Sequence, residues 1–181
     1  MAKQFPALDD RLTAFIEEQH MFFVGSAAAT GRVNISPKGM DSLRVVGPNR
    51  ILWLNLTGSG NETAAHLADT NRMTLMWCSY TTRPLILRCY GTARAVHPRD
   101  ADWDDLVAHW GDPLGARQVY DMQIDLVQTS CGYAVPFMDF SRDRDTLAKW
   151  ADDKGPEGIH AYWDEKNTTS IDGLPTGIFD E

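Results

Sequence analysis

The first apolar residues of the chain recur at helical spacing. Leu8, Leu12 and Ile16 are four positions apart and Phe15 is three positions after Leu12, which is the spacing of one face of a helix. Two aspartates at positions 9 and 10 precede most of this run, and carboxylates favour the N-terminus of a helix. The pattern predicts a first helix over residues 9–20.

The pattern then changes to short apolar runs separated by turn residues, which is typical of strands. The run 51–56 is apolar on nearly both faces, which favours a strand that is buried on both sides or closes a barrel. The predicted strands are 21–27 and 33–36, paired as a hairpin, then 42–46, 51–56, 73–78, 85–96 and 122–129. The later predicted helices are 62–68, 98–110, 143–154 and 157–166. Many short strands with few long helices favour a mainly β, α+β barrel over a doubly wound parallel sheet.

Composition narrows the class of protein. The chain has 181 residues and a net charge of −8, so we expect one globular domain that binds neither nucleic acid nor an anionic membrane. No run reaches the ~18 apolar residues of a membrane span, and the N-terminus does not resemble a signal peptide. The three cysteines are far apart and odd in number, which predicts a cytoplasmic protein without disulfides and without a metal site.

A Gly-rich loop precedes the second predicted helix. The segment 57–61 reads Thr-Gly-Ser-Gly-Asn and opens onto helix-forming residues. Glycines let backbone amides approach an anion, and the helix dipole adds to the attraction, so this loop is a candidate phosphate cradle. The alternative is a turn in which Ser59 or Asn61 caps the helix.

Two basic residues are further candidates for binding an anion. Lys38 follows Pro37 at a strand end, where it could neutralise a phosphate or simply discourage sheet pairing. Arg88 lies within an apolar strand, and a buried arginine needs an anionic partner. That partner is either a ligand phosphate or an internal carboxylate such as Asp41 or Asp125.

Five segments in register carry a resemblance to a known family. They are 34–38 (Asn-Ile-Ser-Pro-Lys), 51–56, 58–63 (Gly-Ser-Gly-Asn-Glu-Thr), 72–77 and 88–91 (Arg-Cys-Tyr-Gly). Their order and spacing, over residues 21–96, resemble the pyridoxamine 5′-phosphate oxidase family of FMN-binding split barrels.

The resemblance implies a split β-barrel flanked by short helices, with residues 1–130 as the FMN-binding domain and residues 131–181 as a helical extension packed on it. It also implies a homodimer with FMN at the interface and flavin-dependent oxidation or reduction of a small molecule. It assigns no catalytic side chain. The cofactor-binding residues that it implies are Asn34, Ser36, Lys38, Asn55, Ser59, Gly60, Asn61, Thr63 and Arg88.

The chain also departs from the best-known enzyme of that family. Asn61-Glu62-Thr63 stands where that enzyme has an Arg-Lys pair, and Glu62 would repel a phosphate unless it points away. Ile86 replaces a glutamine, and no C-terminal arginine and histidine motif is present. These differences argue against pyridoxamine phosphate as the substrate. They leave open a deazaflavin-dependent reductase, a non-catalytic flavin or haem carrier, and a stress-response module with an empty cleft.

Overall fold

The computed structural model of the protein describes residues 2–180, which form one antiparallel sheet of eight strands with helices around it. The sheet has the order β3-β2-β6-β7-β8-β5-β4, and β1 pairs with β8. The elements are β1 (Lys3–Phe5), α1 (Asp10–Glu17), β2 (Phe22–Ser26), β3 (Asn34–Lys38), β4 (Leu43–Gly47), β5 (Arg50–Leu56), α2 (Glu62–Thr70), β6 (Arg72–Cys78), β7 (Leu85–Val96), α3 (Trp103–Val107), a 3₁₀ turn (Ala108–Trp110), β8 (Ala116–Cys131) and α4 (Thr146–Lys166). The predicted mainly β class is confirmed.

Helix α1 forms where the apolar spacing predicts it. Asp9 is its N-cap, and the carboxylate accepts a hydrogen bond of 2.8 Å from the amide of Leu12. Leu12, Phe15 and Ile16 are buried against the sheet. The helix ends at Glu17, three residues before the predicted end, because the chain has to turn into β2.

Strand β5 is buried on both faces, as its composition predicts. Trp53 packs into the larger core beneath α1, while Leu52 and Leu54 pack into a second core with Trp103 of α3. Because every residue from Ile51 to Asn55 is buried, this strand supports both cores.

Strand β8 is longer than predicted. It spans Ala116–Cys131 rather than 122–129, and it pairs with β5, β7 and β1. The five residues from Ala116 to Tyr120 are all buried, so they lack the alternation of a half-buried strand. The sequence pattern assigned residues 111–121 to no element, and the short β1 was also not predicted.

The C-terminal extension contains a helical hairpin. The two predicted tail helices are the two halves of α4, which breaks at Gly155 (φ 64°, ψ 172°) just before Pro156. Trp150 and Tyr162 lie on opposite sides of the break, yet their ring centroids are 5.1 Å apart. A continuous helix would separate these residues by about 18 Å along its axis, so the two halves fold back on each other.

The hairpin packs on the barrel at Gly115. A Cβ at this glycine would lie 3.5 Å from the Cβ of Ala151 and 3.8 Å from Cδ1 of Ile159, one residue from each half of α4. Trp163 also donates a hydrogen bond of 2.8 Å from Nε1 to the hydroxyl of Thr57. Among residues 2–180, no helix is both long enough and apolar enough to cross a membrane.

Candidate functional site

Eight of the nine predicted site residues line one cavity of about 320 Å³. Strand β3 contributes three of them, because alternate residues of a strand point to the same face. The remainder come from the end of β5, from the Gly-rich loop and from the first turn of α2. The eight residues are Asn34, Ser36, Lys38, Asn55, Ser59, Gly60, Asn61 and Thr63. Their role in binding a cofactor stays a prediction.

Arg117 lines the same cavity and was missed by the sequence analysis. Its side chain is buried, with the residue 2 % exposed. It donates hydrogen bonds to the carbonyl oxygens of Gly58 (3.3 Å) and Gly60 (3.0 Å), to Oδ1 of Asn167 (2.6 Å) and to Oε1 of Gln118 (3.0 Å). All four acceptors are neutral, and within residues 2–180 no carboxylate pairs with this guanidinium.

Lys38 is a second cation in the cavity. Burial, together with the nearby charge of Arg117, lowers the pKa of Lys38 to about 8. Its Nζ atom lies 5.3 Å from the ring centroid of Trp53, which is a cation–π contact. Two cations therefore face one small cavity, and a bound anion would relieve the cost of burying both charges.

Glu62 is the carboxylate that lines this cavity, and it does not pair with either cation. Both of its carboxylate oxygens accept hydrogen bonds from the amide of Ile171, at 3.2 and 3.0 Å. The C-terminal extension thus holds the acidic group, which would repel a phosphate if it faced one.

Neutral polar groups complete the cavity wall. Asn55 donates to Oε1 of Gln118 (2.9 Å), and Gln118 donates to Oδ1 of Asn61 (3.1 Å). The hydroxyl of Tyr120 is buried, and among the described residues it has no hydrogen-bond partner. Burial raises the pKa of Tyr120, against smaller opposing effects of Arg117 and of a contact with the Asn55 side chain, so this hydroxyl stays protonated and keeps a proton to donate.

The Gly-rich loop does not use Asn61 as a helix cap. Asn61 is the N-cap residue of α2, but its side chain makes no capping bond. Instead its Nδ2 atom donates to the carbonyl oxygen of Asn167 at 3.2 Å. The loop is therefore tied to the C-terminal extension, and its own carbonyls at Gly58 and Gly60 orient Arg117.

A buried network supports the β3 side of the cavity. The hydroxyl of Ser26 donates to Oγ1 of Thr63 (3.2 Å) and lies 3.1 Å from Nδ1 of His66. Asn34 also donates to Oγ1 of Thr63, at 3.4 Å. These bonds connect β2, β3 and α2, so they fix the polar groups that point into the cavity.

Arg88 lies outside this cavity. It donates a hydrogen bond of 3.2 Å to the hydroxyl of Ser130, so neither Asp41 nor Asp125 is its partner. Arg88 follows Leu87 and precedes Cys89, both of which are in the core, so its side chain lies on the outer face of the sheet. Its assignment to the cofactor stays a prediction.

A larger cavity of about 680 Å³ adjoins the first one. Lys38, Gly58 and Ser59 line both cavities. The far wall of the larger cavity is made by the C-terminal extension, through residues of the 142–144 segment and of α4. The structure thus defines an antiparallel barrel protein with two adjoining cavities that share Lys38.

Comparison with known proteins identifies the family. Residues 8–131 match the family model described as pyridoxamine 5′-phosphate oxidase. The chain is 34 % identical over 189 aligned positions to the pyridoxamine 5′-phosphate oxidase family protein ustO of Aspergillus flavus, covering 94 % of this chain and 76 % of that protein. The chain belongs to the pyridoxamine 5′-phosphate oxidase family.

Solved structures show the same split-barrel fold. HupZ of Group A Streptococcus superposes with a TM-score of 0.56 at 19 % identity, over 67 % of this chain and 98 % of HupZ. HutZ, the haem storage protein of Vibrio cholerae, superposes with a TM-score of 0.50 at 15 % identity, over 70 % of this chain and 97 % of HutZ. At these identities the likeness concerns the fold, and the predicted split barrel is confirmed.

Proposed function

We propose that the protein binds FMN and is a flavin-dependent oxidoreductase acting on a small molecule. The observation that carries the proposal is the pair of cations in the smaller cavity. Arg117 is buried with only neutral acceptors, and Lys38 has a lowered pKa beside it. Both groups would be stabilised by the phosphate of a nucleotide cofactor.

The other residues of the smaller cavity suit the same ligand. Ser36, Ser59 and Thr63 carry hydroxyls, and the free hydroxyl of Tyr120 needs an acceptor. These are donors of the kind that bind phosphate and ribityl oxygens. When bound, the flavin would supply the hydride or electron transfer, while this chain binds it, orients it and excludes water. The proposal assigns no general acid or base.

We also propose that the working form is a homodimer with the cofactor at its interface. Ile35 of the edge strand β3 is 69 % exposed, and it lines a groove of about 510 Å³ that also contains Val33 and Tyr90. Ile35, Gly25, Thr74 and Tyr90 form one cross-strand row. An apolar outer face beside a free strand edge is a surface that a second copy would cover.

Arg88 gives this dimer a specific test. Pro37 and Arg88 occupy the next row on the same outer face, so a partner subunit could bring Arg88 to the site. We expect Ile35→Asp to yield monomers in sedimentation and Arg88→Gln to weaken FMN binding in the dimer. A wild-type protein that sediments as a monomer at micromolar concentration would contradict the proposed dimer.

Haem binding is the second candidate function. His20 lines the larger cavity, and its ring stacks on Phe140 with centroids 3.6 Å apart. An imidazole is a group that ligates haem iron. The fold neighbour HutZ is described as a haem storage protein.

We place either activity in the cytoplasm, because Cys78, Cys89 and Cys131 are free and free thiols suit a reducing compartment.

The test is a titration of the purified protein with FMN, followed by desalting and a visible absorption spectrum. We expect a stoichiometric flavin spectrum that survives desalting. Lys38→Gln should raise the dissociation constant about tenfold or more, because a charge-assisted hydrogen bond is lost. Lys149→Gln is the matched control, since Lys149 is exposed, pairs with Asp145 and lines neither cavity.

Two results would redirect the proposal. A folded wild-type protein that retains no FMN, but binds a deazaflavin or gives a haem Soret band with haemin, would replace FMN by that cofactor. A protein that retains FMN but is never reduced by any nicotinamide donor would be a flavin carrier. Equal loss of FMN in Lys38→Gln and Lys149→Gln would remove Lys38 from the site.

A further inference from the structure

One wall of the larger cavity is built by residues outside the range that matches the family. Pro37, Met40 and Thr57 line it from the barrel side, and Leu147, Trp150 and Tyr162 line it from the extension. The family match ends at residue 131, so the second wall is built by the segment beyond it. A volume of about 680 Å³ is within the usual range for a small-molecule site.

The extension wall carries an aromatic corner. The rings of Trp150 and Tyr162 meet edge to face, with an interplanar angle of 76°. Nζ of Lys154 lies 5.9 Å from the Trp150 centroid and 5.7 Å from the Tyr162 centroid. This arrangement depends on the break at Gly155, which folds the two halves of α4 together. The corner offers ring faces and edges against which a planar group packs well.

The cavity is lined by more cations than anions, whereas the whole chain carries more anions than cations. Lys38, Arg142 and Arg144 line the cavity, against the single carboxylate of Asp143. The whole chain has 17 Lys and Arg residues against 25 Asp and Glu residues. A local excess of cations in an acidic protein favours an anionic ligand and raises its local concentration.

We infer that this cavity is the substrate site and that the substrate is a small carboxylic acid with a planar, apolar ring. The ring would pack against Trp150 and Tyr162, and the carboxylate would pair with the guanidinium groups of Arg142 and Arg144. Arginine matches a carboxylate with two parallel hydrogen bonds. The inference rests on the proposed function, because Lys38, Gly58 and Ser59 border both cavities and so place this ligand beside the proposed cofactor.

The test uses two probes that differ only in charge. Indoleacetate and the neutral indoleacetamide are titrated into the full-length protein, loaded with FMN and without it, by isothermal calorimetry. The acid should bind at least about fivefold more tightly than the amide, a modest factor because both arginines are exposed to solvent. The double variant Arg142→Gln/Arg144→Gln should abolish that preference, and Trp150→Leu should weaken both probes.

Lys149→Gln is again the control, because it removes a nearby cation, on the helix that follows Arg142 and Arg144, from a residue that does not line the cavity. Circular dichroism checks that each variant is folded. Equal affinity for acid and amide in the wild type, or a preference that survives the double arginine variant, would overturn the inference. A protein that prefers the acid but holds no FMN would instead refute the proposed function and leave the assignment of the cavity standing.

Discussion

Asn167 connects the C-terminal extension to the proposed phosphate site, and replacing it tests that connection. The residue is fully buried, at 0 % exposed. Its side chain accepts a hydrogen bond of 2.6 Å from Arg117 and donates one of 3.0 Å to the carbonyl oxygen of Gly58. Asn167→Ala removes both bonds and leaves Nη1 of Arg117 and the carbonyl oxygen of Gly58 with only the longer bond of 3.3 Å that they make to each other. The expected loss is about 2–4 kcal/mol in the free energy of unfolding, most of it from the bond to the guanidinium.

Urea unfolding monitored by tryptophan fluorescence measures this loss, because Trp150 and Trp163 lie in the extension. At a slope of about 2 kcal/mol per molar urea, the middle of the usual range, this loss lowers the midpoint by about 1–2 M. The exposed Gln123 provides the control, and Gln123→Ala should change stability by less than about 0.5 kcal/mol. A shift for Asn167→Ala no larger than that of the control would refute the role given to Asn167.

Asn167→Asp separates stability from cofactor binding. The new carboxylate keeps an acceptor for Arg117 and adds the opposite charge that the guanidinium lacks. It also loses the donor to Gly58. We therefore expect Asn167→Asp to be less stable than the wild type but more stable than Asn167→Ala. FMN affinity should fall, because a carboxylate beside Arg117 competes with the phosphate and repels it. Unchanged FMN affinity would place the phosphate away from Arg117.

Two further predictions concern a titration and a backbone contact. Because an anion favours the charged form of Lys38, whose pKa in the free protein is about 8, FMN binding should weaken from about pH 8 upward, by up to about tenfold per pH unit. Dissociation constants measured from about pH 7 to about pH 9 should show this slope in the wild type and lose it in Lys38→Gln; a wild-type affinity that does not change with pH would contradict it. Gly91→Ala should destabilise the fold by about 3 kcal/mol in urea unfolding, since a Cβ there would overlap the carbonyl oxygen of Gln123 at a β-bulge; a loss below about 1 kcal/mol would show that the bulge relaxes.

The resemblance to the family, carried by short segments of the sequence, predicted the parts of the site that lie on single elements. The residues of β3 that line the smaller cavity alternate along one strand, and the loop residues follow one another. The break in α4 could be predicted as a gap between two helices, because Gly155 and Pro156 stand together. In each case the signal is contained in a few consecutive residues.

Arg117 and Asn167 could not be found in the same way. Arg117 lies in the first part of β8, where five consecutive buried residues hide the alternation of a strand. Its partner Asn167 is fifty positions away in the sequence, and no local pattern connects them. The direction of Glu62 depended likewise on a backbone amide in the extension. Long-range pairing of this kind is set by tertiary packing, which a single sequence does not display.

The central position of β8 determines when the sheet can form during synthesis. β5 pairs with β4 and β8, and β7 pairs with β6 and β8. Before β8 leaves the ribosome, the nascent chain therefore contains two unconnected sheet fragments, β3-β2-β6-β7 and β4-β5, each with an unpaired edge. Trp53 cannot stack on Tyr120 until β8 has been synthesised; in the folded protein the two ring centroids are 4.6 Å apart. Until then the fragments expose apolar surface to chaperones and to neighbouring nascent chains. A chain truncated before residue 116 lacks β8, so its two fragments cannot join into one sheet.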